Sequence, residues 1–329
     1  MMTEEIGGYF QLERFTGREY HEGLLRLNLG RTALLYMLEK MQIHTLYVPH
    51  FLCGSVLEAC TAAGIRLVYY PISREFLPVC DHRPEAGECL YLVNFYGRLT
   101  KEQILEQKER YGEIILDNTH AFFQDPIDSV PALWSIRKYF GLADGAYVDP
   151  QGRWTVQPDA DGNPSDLPPD HSSERMGHIL GRYEGAASDY YKTMLENAHA
   201  LEQEPPRQMS PLTQNLLRAI DYEQVKKTRE DNYNYLQEQL GKENALPYVR
   251  ISGPFAYPFY HKNGMQIRRE MAKEKVYIPT YWKNVLDDMD EGSIEYDLAA
   301  NILPLPCDQR YERRHMDRIV EVFRKAARE

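Results

Sequence analysis

Asp117 closes the apolar run Glu113-Ile-Ile-Leu-Asp117, and eighteen residues later Ser135 follows the shorter run Ala132-Leu-Trp134, with Arg137 and Lys138 just behind it. Such runs read as buried strands, and open α/β sheets place their ligands at the carboxyl ends of the strands. A carboxylate and a lysine at successive strand ends are what pyridoxal phosphate chemistry requires. The lysine forms a Schiff base with the cofactor, and the acid keeps the pyridine nitrogen protonated so that the ring accepts electrons. An ion pair between Asp117 and Arg137 or Lys138 accounts for the same residues without a cofactor. A third element favours the chemical reading. Leu29-Gly30-Arg31-Thr32-Ala33 passes from a short apolar segment into a helix, where free N–H groups and the positive dipole end suit a phosphate and glycine permits close approach.

These residues need elements to hold them. The stretches 45–49, 65–70 and 89–95 read as further buried strands, while Leu34, Leu38 and Met41 recur at helical spacing and 57–63 continues a second helix that Gly64 stops. Strand and helix alternate, the sequence form of an α/β domain with a mainly parallel sheet. The stretch 149–173, dense in Asp, Pro, Gly and Ser, reads as a long loop. A Pro-rich break at 204–211 precedes a helix expected from about 212 to 240, ended by Gly241. The domain boundary is placed there, with a large domain over 1–208 and a small one over 209–329. In the small domain 248–251, 255–260 and 276–279 read as strands, and 265–274 and 310–328 as helices. Arg229 and Asn232, on the long helix, read as solvated or in an interface.

Composition narrows the function. The chain has 329 residues, and 38 Lys and Arg against 49 Asp and Glu leave a net charge of −11, the wrong sign for nucleic acid. No apolar run approaches the roughly 18 residues of a membrane span, and the first residues lack the cationic start and apolar stretch of a signal peptide. A cytoplasmic protein without membrane contact is expected. Five cysteines without a Cys-x-x-Cys pair, and histidines without ligand spacing, argue against a disulfide framework and against a metal site. The thiols are expected to be reduced and mostly buried.

Further motifs extend the pattern along the chain. They are Val48-Pro-His-Phe51 followed by Leu52 and Cys53, Val93-Asn-Phe-Tyr-Gly97, Leu116-Asp-Asn-Thr-His-Ala121, Ser135-Ile-Arg-Lys138 continuing to Asp144-Gly145, and Leu303-Pro-Leu-Pro306 before an amphipathic terminal helix. With Gly30-Arg-Thr-Ala-Leu34, these stretches resemble the DegT/StrS-type sugar aminotransferases, pyridoxal phosphate enzymes of fold type I, in a shortened form. The resemblance implies a large domain with a mainly parallel sheet, a smaller C-terminal α+β domain and a homodimer. It implies Lys138 as the Schiff-base lysine, Asp117 as the pyridinium partner, His120 beside the ring hydroxyl and Ser135 as a phosphate ligand, with Gly30, Arg31 and Thr32 completing the phosphate cup. Cys53 stands where an aromatic ring is common, with Phe51 the available substitute for stacking on the cofactor. Ser135 and Lys138 lie two residues closer than in the family, and Gly145-Ala146 replaces a Gly-Gly pair. The implied reaction is transamination from an amino acid donor, glutamate expected, to a keto sugar or related keto compound. Lys138 would move the proton, its pKa lowered by Arg137. A non-catalytic cofactor-binding sensor or scaffold, and elimination or racemisation, are the alternatives. Tyr281 and Trp282 are candidates to overlook the site or simply to pack.

Overall fold

The computed structural model describes residues 6–156, 158–159 and 162–328. In its first half, short apolar runs become strands and the amphipathic stretches between them become helices: β1 (Leu25–Leu27), α1 (Gly30–Lys40), β2 (Thr45–Pro49), α2 (Gly54–Ala62), β3 (Arg66–Tyr70), β4 (Glu88–Val93), α3 (Lys101–Tyr111), β5 (Ile114–Asp117), β6 (Ala132–Ser135) and β7 (Ala146–Asp149). Local chemistry sets several ends. Thr100 and Gln103 form a reciprocal capping box that starts α3, and Gly64 at φ +76° ends the turn after α2.

The seven strands form one sheet in the order β1-β7-β6-β5-β4-β2-β3. β2 to β6 run parallel, and β7 alone runs against its neighbours β1 and β6. Every residue of β2, β5, β6 and β7 is buried, as continuous apolar runs covered on both faces must be. Register then places the chemistry. Val93 pairs with Asp117 and Asp117 with Leu133, so the segments after β4, β5 and β6 emerge together at one edge of the sheet.

No α-helix or sheet strand interrupts the described residues between β7 and Ser172. Two helices then form a hairpin, α4 (Gly177–Glu184) and α5 (Tyr191–Ala200). The single helix expected over 212–240 is two helices, α6 (Pro211–Leu217) and α7 (Tyr222–Leu240). The apolar period runs through the break, but the Asp221 side chain accepts from the N–H of Gln224 and starts a new helix.

Beyond it lie β8 (Tyr257–Tyr260), α8 (Gly264–Lys273), α9 (Lys283–Asp288), α10 (Ile294–Asn301), β9 (Ile302–Leu305) and α11 (Arg313–Ala326). β8 and β9 pair antiparallel, and α11 lays Met316, Ile319, Val320 and Phe323 into a second buried cluster with Leu236, Phe259 and Met271. The segments 248–251 and 276–279 are not strands; Ile251 and Ile278 are buried there without a ladder partner. Arg229 and Asn232, expected to be solvated or in an interface, are 1% and 6% exposed. Their side chains serve backbone carbonyls, which repays the cost of burial.

One buried group makes stability depend on acidity. His21 donates from Nε2 to the Phe122 carbonyl at 2.6 Å, and burial pushes its pKa down to about 4. The unfolded chain therefore binds a proton that the folded one refuses between about pH 6.5 and 4. Stability should fall as pH drops through that window, by roughly 2–3 kcal/mol at its acid end. Urea unfolding of wild type and His21→Gln at pH 7 and pH 5 checks this: the variant should lose the part of the pH slope that His21 supplies.

Candidate active site

Asp117 ends β5 with its carboxylate in the interior. Oδ2 accepts from the Tyr91 hydroxyl at 2.6 Å, and Oδ1 accepts from the Thr119 N–H at 2.8 Å. The ion-pair reading of this residue therefore fails, since its bonds go to Tyr91 and Thr119 and none among the described residues goes to Arg137 or Lys138. Burial raises the Asp117 pKa, while the bonds from Thr119 and Tyr91 and the charge of Lys138 act the other way. Tyr91 is missed by sequence reasoning. Its register position gives the only hint: it lies one pleat from Val93, which pairs with Asp117.

Lys138 ends a single turn, Ile136–Lys138, at the end of β6. The side chain reaches solvent, yet enough protein lies around its amine for desolvation to lead its pKa shift, as in a recess. Nζ stands 5.7 Å from the centre of the Tyr281 ring. Desolvation lowers the Lys138 pKa, Cys53 opposes that shift, the charge of Arg137 adds to it, and Asp117 opposes it. The expected effect of Arg137 is present, but burial leads.

The carbonyl of Tyr139, next in the chain, accepts from Arg229 Nη2 at 3.1 Å and Gln309 Nε2 at 2.8 Å. Arg229 also donates to the carbonyls of Pro254 and Phe255 and to Gln309 Oε1. One guanidinium thus ties the lysine turn to the C-terminal third of the chain. Gly145 supports the same turn: it sits at φ +122°, and a Cβ there would lie 2.8 Å from Ile136 Cδ1.

His120 stacks on Phe255, with ring centres 4.1 Å apart and 11° between planes. The Tyr96 N–H reaches His120 Nδ1 at 3.4 Å, and burial, aided by the charge of Lys138, holds the pKa well below the ordinary value. The ring is neutral with Nδ1 as acceptor, so Nε2 carries the hydrogen and is a donor. Tyr96 itself sits at φ 57°, the left-handed region, which aims its N–H at the histidine.

At the start of α1, Leu29 supplies no side-chain cap and the first turn holds no acid. A Cβ on Gly30 would lie 3.2 Å from Ser135 Cβ, 3.6 Å from its Oγ and 3.9 Å from Thr119 Oγ1, so two hydroxyls border the space glycine leaves open. The first-turn N–H groups of Gly30, Arg31 and Thr32 have no partner among the described residues, so an anion can approach there. The Thr32 hydroxyl turns away from that space, donating back to Asn28 Oδ1 at 2.6 Å, which leaves only its backbone N–H on that side. Arg31 reaches the Leu201 carbonyl at 2.5 Å.

Phe51 and Cys53 part company. Phe51 is fully buried against Phe76, Phe95 and Trp282, so it has no free face to stack on a ligand. The physical reason is that Trp282, 4.4 Å away, covers it. Cys53 is exposed at the start of α2, on a loop that Asn284 pins through Leu52 and Gly54, whereas Cys60, Cys89 and Cys307 are buried. Tyr281, the ring beside Lys138, packs with Trp282, His120 and Phe255.

No family model matches the sequence, and no curated protein sequence matches it. Solved structures do. A DegT DnrJ EryC1 StrS aminotransferase from Brucella abortus is 16% identical with a TM-score of 0.61, over 92% of this chain and 85% of that one. Spr1654 from Streptococcus pneumoniae, described as a sugar aminotransferase and solved in a PLP form, is 13% identical with a TM-score of 0.63, over 97% and 93%. DesV of S. venezuelae, solved with a ketimine intermediate, is 17% identical with a TM-score of 0.61, over 97% and 91%. The fold is that of the type I pyridoxal phosphate aminotransferases.

A lowered lysine pKa is directly measurable. Under reductive methylation followed by peptide mass spectrometry, Lys138 should react at lower pH than the exposed Lys192 on α5. Equal pH profiles for the two would contradict the recess described above.

Proposed function

We propose that this chain is a pyridoxal phosphate-dependent aminotransferase that moves an amino group from an amino acid, glutamate expected, to a keto sugar or related keto compound. The observation that carries the reading is the convergence of Lys138, Asp117 and the cradle of Gly30, Ser135 and Thr119 at one edge of the sheet. Those residues fit the cofactor. The cradle suits its phosphate, the buried Asp117 carboxylate suits a protonated ring nitrogen, and the Nε2–H of His120 suits a ring oxygen. The structural neighbours solved in a PLP form or with a ketimine intermediate support the same assignment.

When bound, the cofactor supplies an electron sink that lets a C–H bond beside the substrate nitrogen lose its proton. Lys138 would hold the cofactor through Nζ, and the same Nζ, uncharged, would accept and return that proton. The lowered pKa leaves more of the amine uncharged at neutral pH than an ordinary lysine keeps. Tyr91 and Thr119 hold the Asp117 carboxylate in one orientation. Tyr281 stands beside the Lys138 amine, with Trp282 packed against it.

We further read the molecule as a cytoplasmic homodimer whose domain boundary lies at 208/209. Leu180, Tyr183, Tyr191 and Leu195, exposed on the α4–α5 hairpin, support a contact between copies. Five free cysteines suit a reducing compartment.

The deciding experiment is the visible spectrum of the protein with pyridoxal phosphate. A band should form in wild type, be absent in Lys138→Ala, and bleach when glutamate is added. Protein that stays colourless overturns the reading. Tyr91→Phe should keep the band but slow bleaching about tenfold, the loss of one charge-assisted hydrogen bond of roughly 1.5 kcal/mol.

A further inference from the structure

His120 lies in the turn after β5, so no helix or strand holds its backbone. The turn closes on itself through the Ala121 N–H, which donates to the Asn118 carbonyl at 2.9 Å, and the Thr119 N–H, which donates to Asp117. The carbonyl of His120 is met from elsewhere. The Tyr139 hydroxyl donates to it at 2.9 Å, and both residues are buried. Among the described residues that is the one hydrogen bond this carbonyl receives. Gly97, at φ +71°, crowds the same oxygen: a Cβ there would stand 2.9 Å from it.

Tyr139 is itself fixed at its backbone and at its ring. Its N–H donates to the Ile136 carbonyl at 2.9 Å, and its carbonyl accepts from Arg229 and Gln309. Its ring centre lies 4.4 Å from the Arg229 guanidinium carbon, with Phe122 and Phe255 packed beside it. Tyr139 is also the residue bonded to Lys138 in the chain. One side chain therefore connects the backbone that carries the lysine to the backbone that carries the histidine, nineteen positions from Tyr139. The ring of His120 follows that placement, since Phe255 fixes its plane and the Tyr96 N–H meets Nδ1, which makes Nε2 the donor.

We propose that the Tyr139 hydroxyl is a positioning group that sets the spacing between Lys138 and His120, and so holds the His120 Nε2–H in register with the lysine amine. Without the hydroxyl a buried carbonyl is left unmet, and the turn at 118–121 shifts to satisfy it. A donor is effective at a reacting centre when its support is rigid, and a shifted turn gives that rigidity up. What Nε2 meets, a ring oxygen, rests on the proposed function, whereas the link between the two backbones does not.

Tyr139→Phe in the full chain removes the hydroxyl and keeps the ring beside Arg229, Phe122 and Phe255. Tyr233→Phe is the control, because it deletes a tyrosine bond to the Val249 carbonyl in the second buried cluster. On cofactor-free protein, hydrogen–deuterium exchange at the His120 ring carbon between its nitrogens, read by peptide mass spectrometry across pH, gives the protonation midpoint of the ring. That midpoint should rise toward the ordinary value by about half a pH unit or more in Tyr139→Phe, as water reaches the loosened ring, and stay in place in Tyr233→Phe. With pyridoxal phosphate bound, the pH midpoint of the visible band should also move in Tyr139→Phe, since a donor at the ring oxygen sets how tightly the Lys138 nitrogen holds its proton. In a His120→Phe background, adding Tyr139→Phe should move the band no further. An unmoved midpoint in either measurement, an equal shift in Tyr233→Phe, or an equal band shift once His120 is gone overturns the proposal. Should wild type form no band, the aminotransferase reading fails separately, and the exchange measurement on the free protein decides alone.

Discussion

A carboxylate buried at the end of a central strand is the constraint around which the rest of the site is arranged. Asp117 cannot sit in the interior as an unpaired charge at tolerable cost, so its oxygens must be met. Tyr91 and the Thr119 backbone meet them, and Lys138 adds a favourable charge nearby. The parallel register of β4, β5 and β6 makes this possible by delivering three strand ends to the same edge. Were β5 to slip by one residue, Asp117 would turn to the opposite face and the carboxylate would lose both partners.

The lysine opposite is held by longer-range means. Its turn is one short 3₁₀ segment, and the Tyr139 carbonyl that follows is fixed by Arg229 and Gln309 rather than by a helix. A guanidinium with four donor contacts spread over three segments resists movement of any one of them. The Lys138 turn is therefore coupled mechanically to the packing around β8, α7 and the segment after β9. Tyr281 and Trp282 arrive from that same region, with Trp282 in a left-handed backbone conformation at φ 54° that turns the chain into α9.

β2, β5 and β6 were legible because both faces of each are covered, so their sequences are largely apolar runs. Segments 248–251 and 276–279 carry the same composition, yet pack side chains without pairing, and nothing local distinguishes a buried loop from a strand. The break between α6 and α7 hides under a continuous apolar period, although Asp221 and Gln224 mark it as a cap. Arg229 misleads for a related reason, since an arginine on a helix is usually solvated and only three-dimensional packing brings unmet carbonyls to it.

What this sequence determined alone was the order of strand and helix, the strand-end placement of Asp117 and Lys138, and a glycine at the start of α1, because these follow from local pattern and chain order. Tertiary structure alone decided that Tyr91 meets Asp117, that Thr119 and Ser135 share the space left by Gly30, and that Phe51 is covered while Cys53 is open. Contacts of this kind join residues from tens to more than a hundred positions apart, and distance along the chain carries no trace of distance in space.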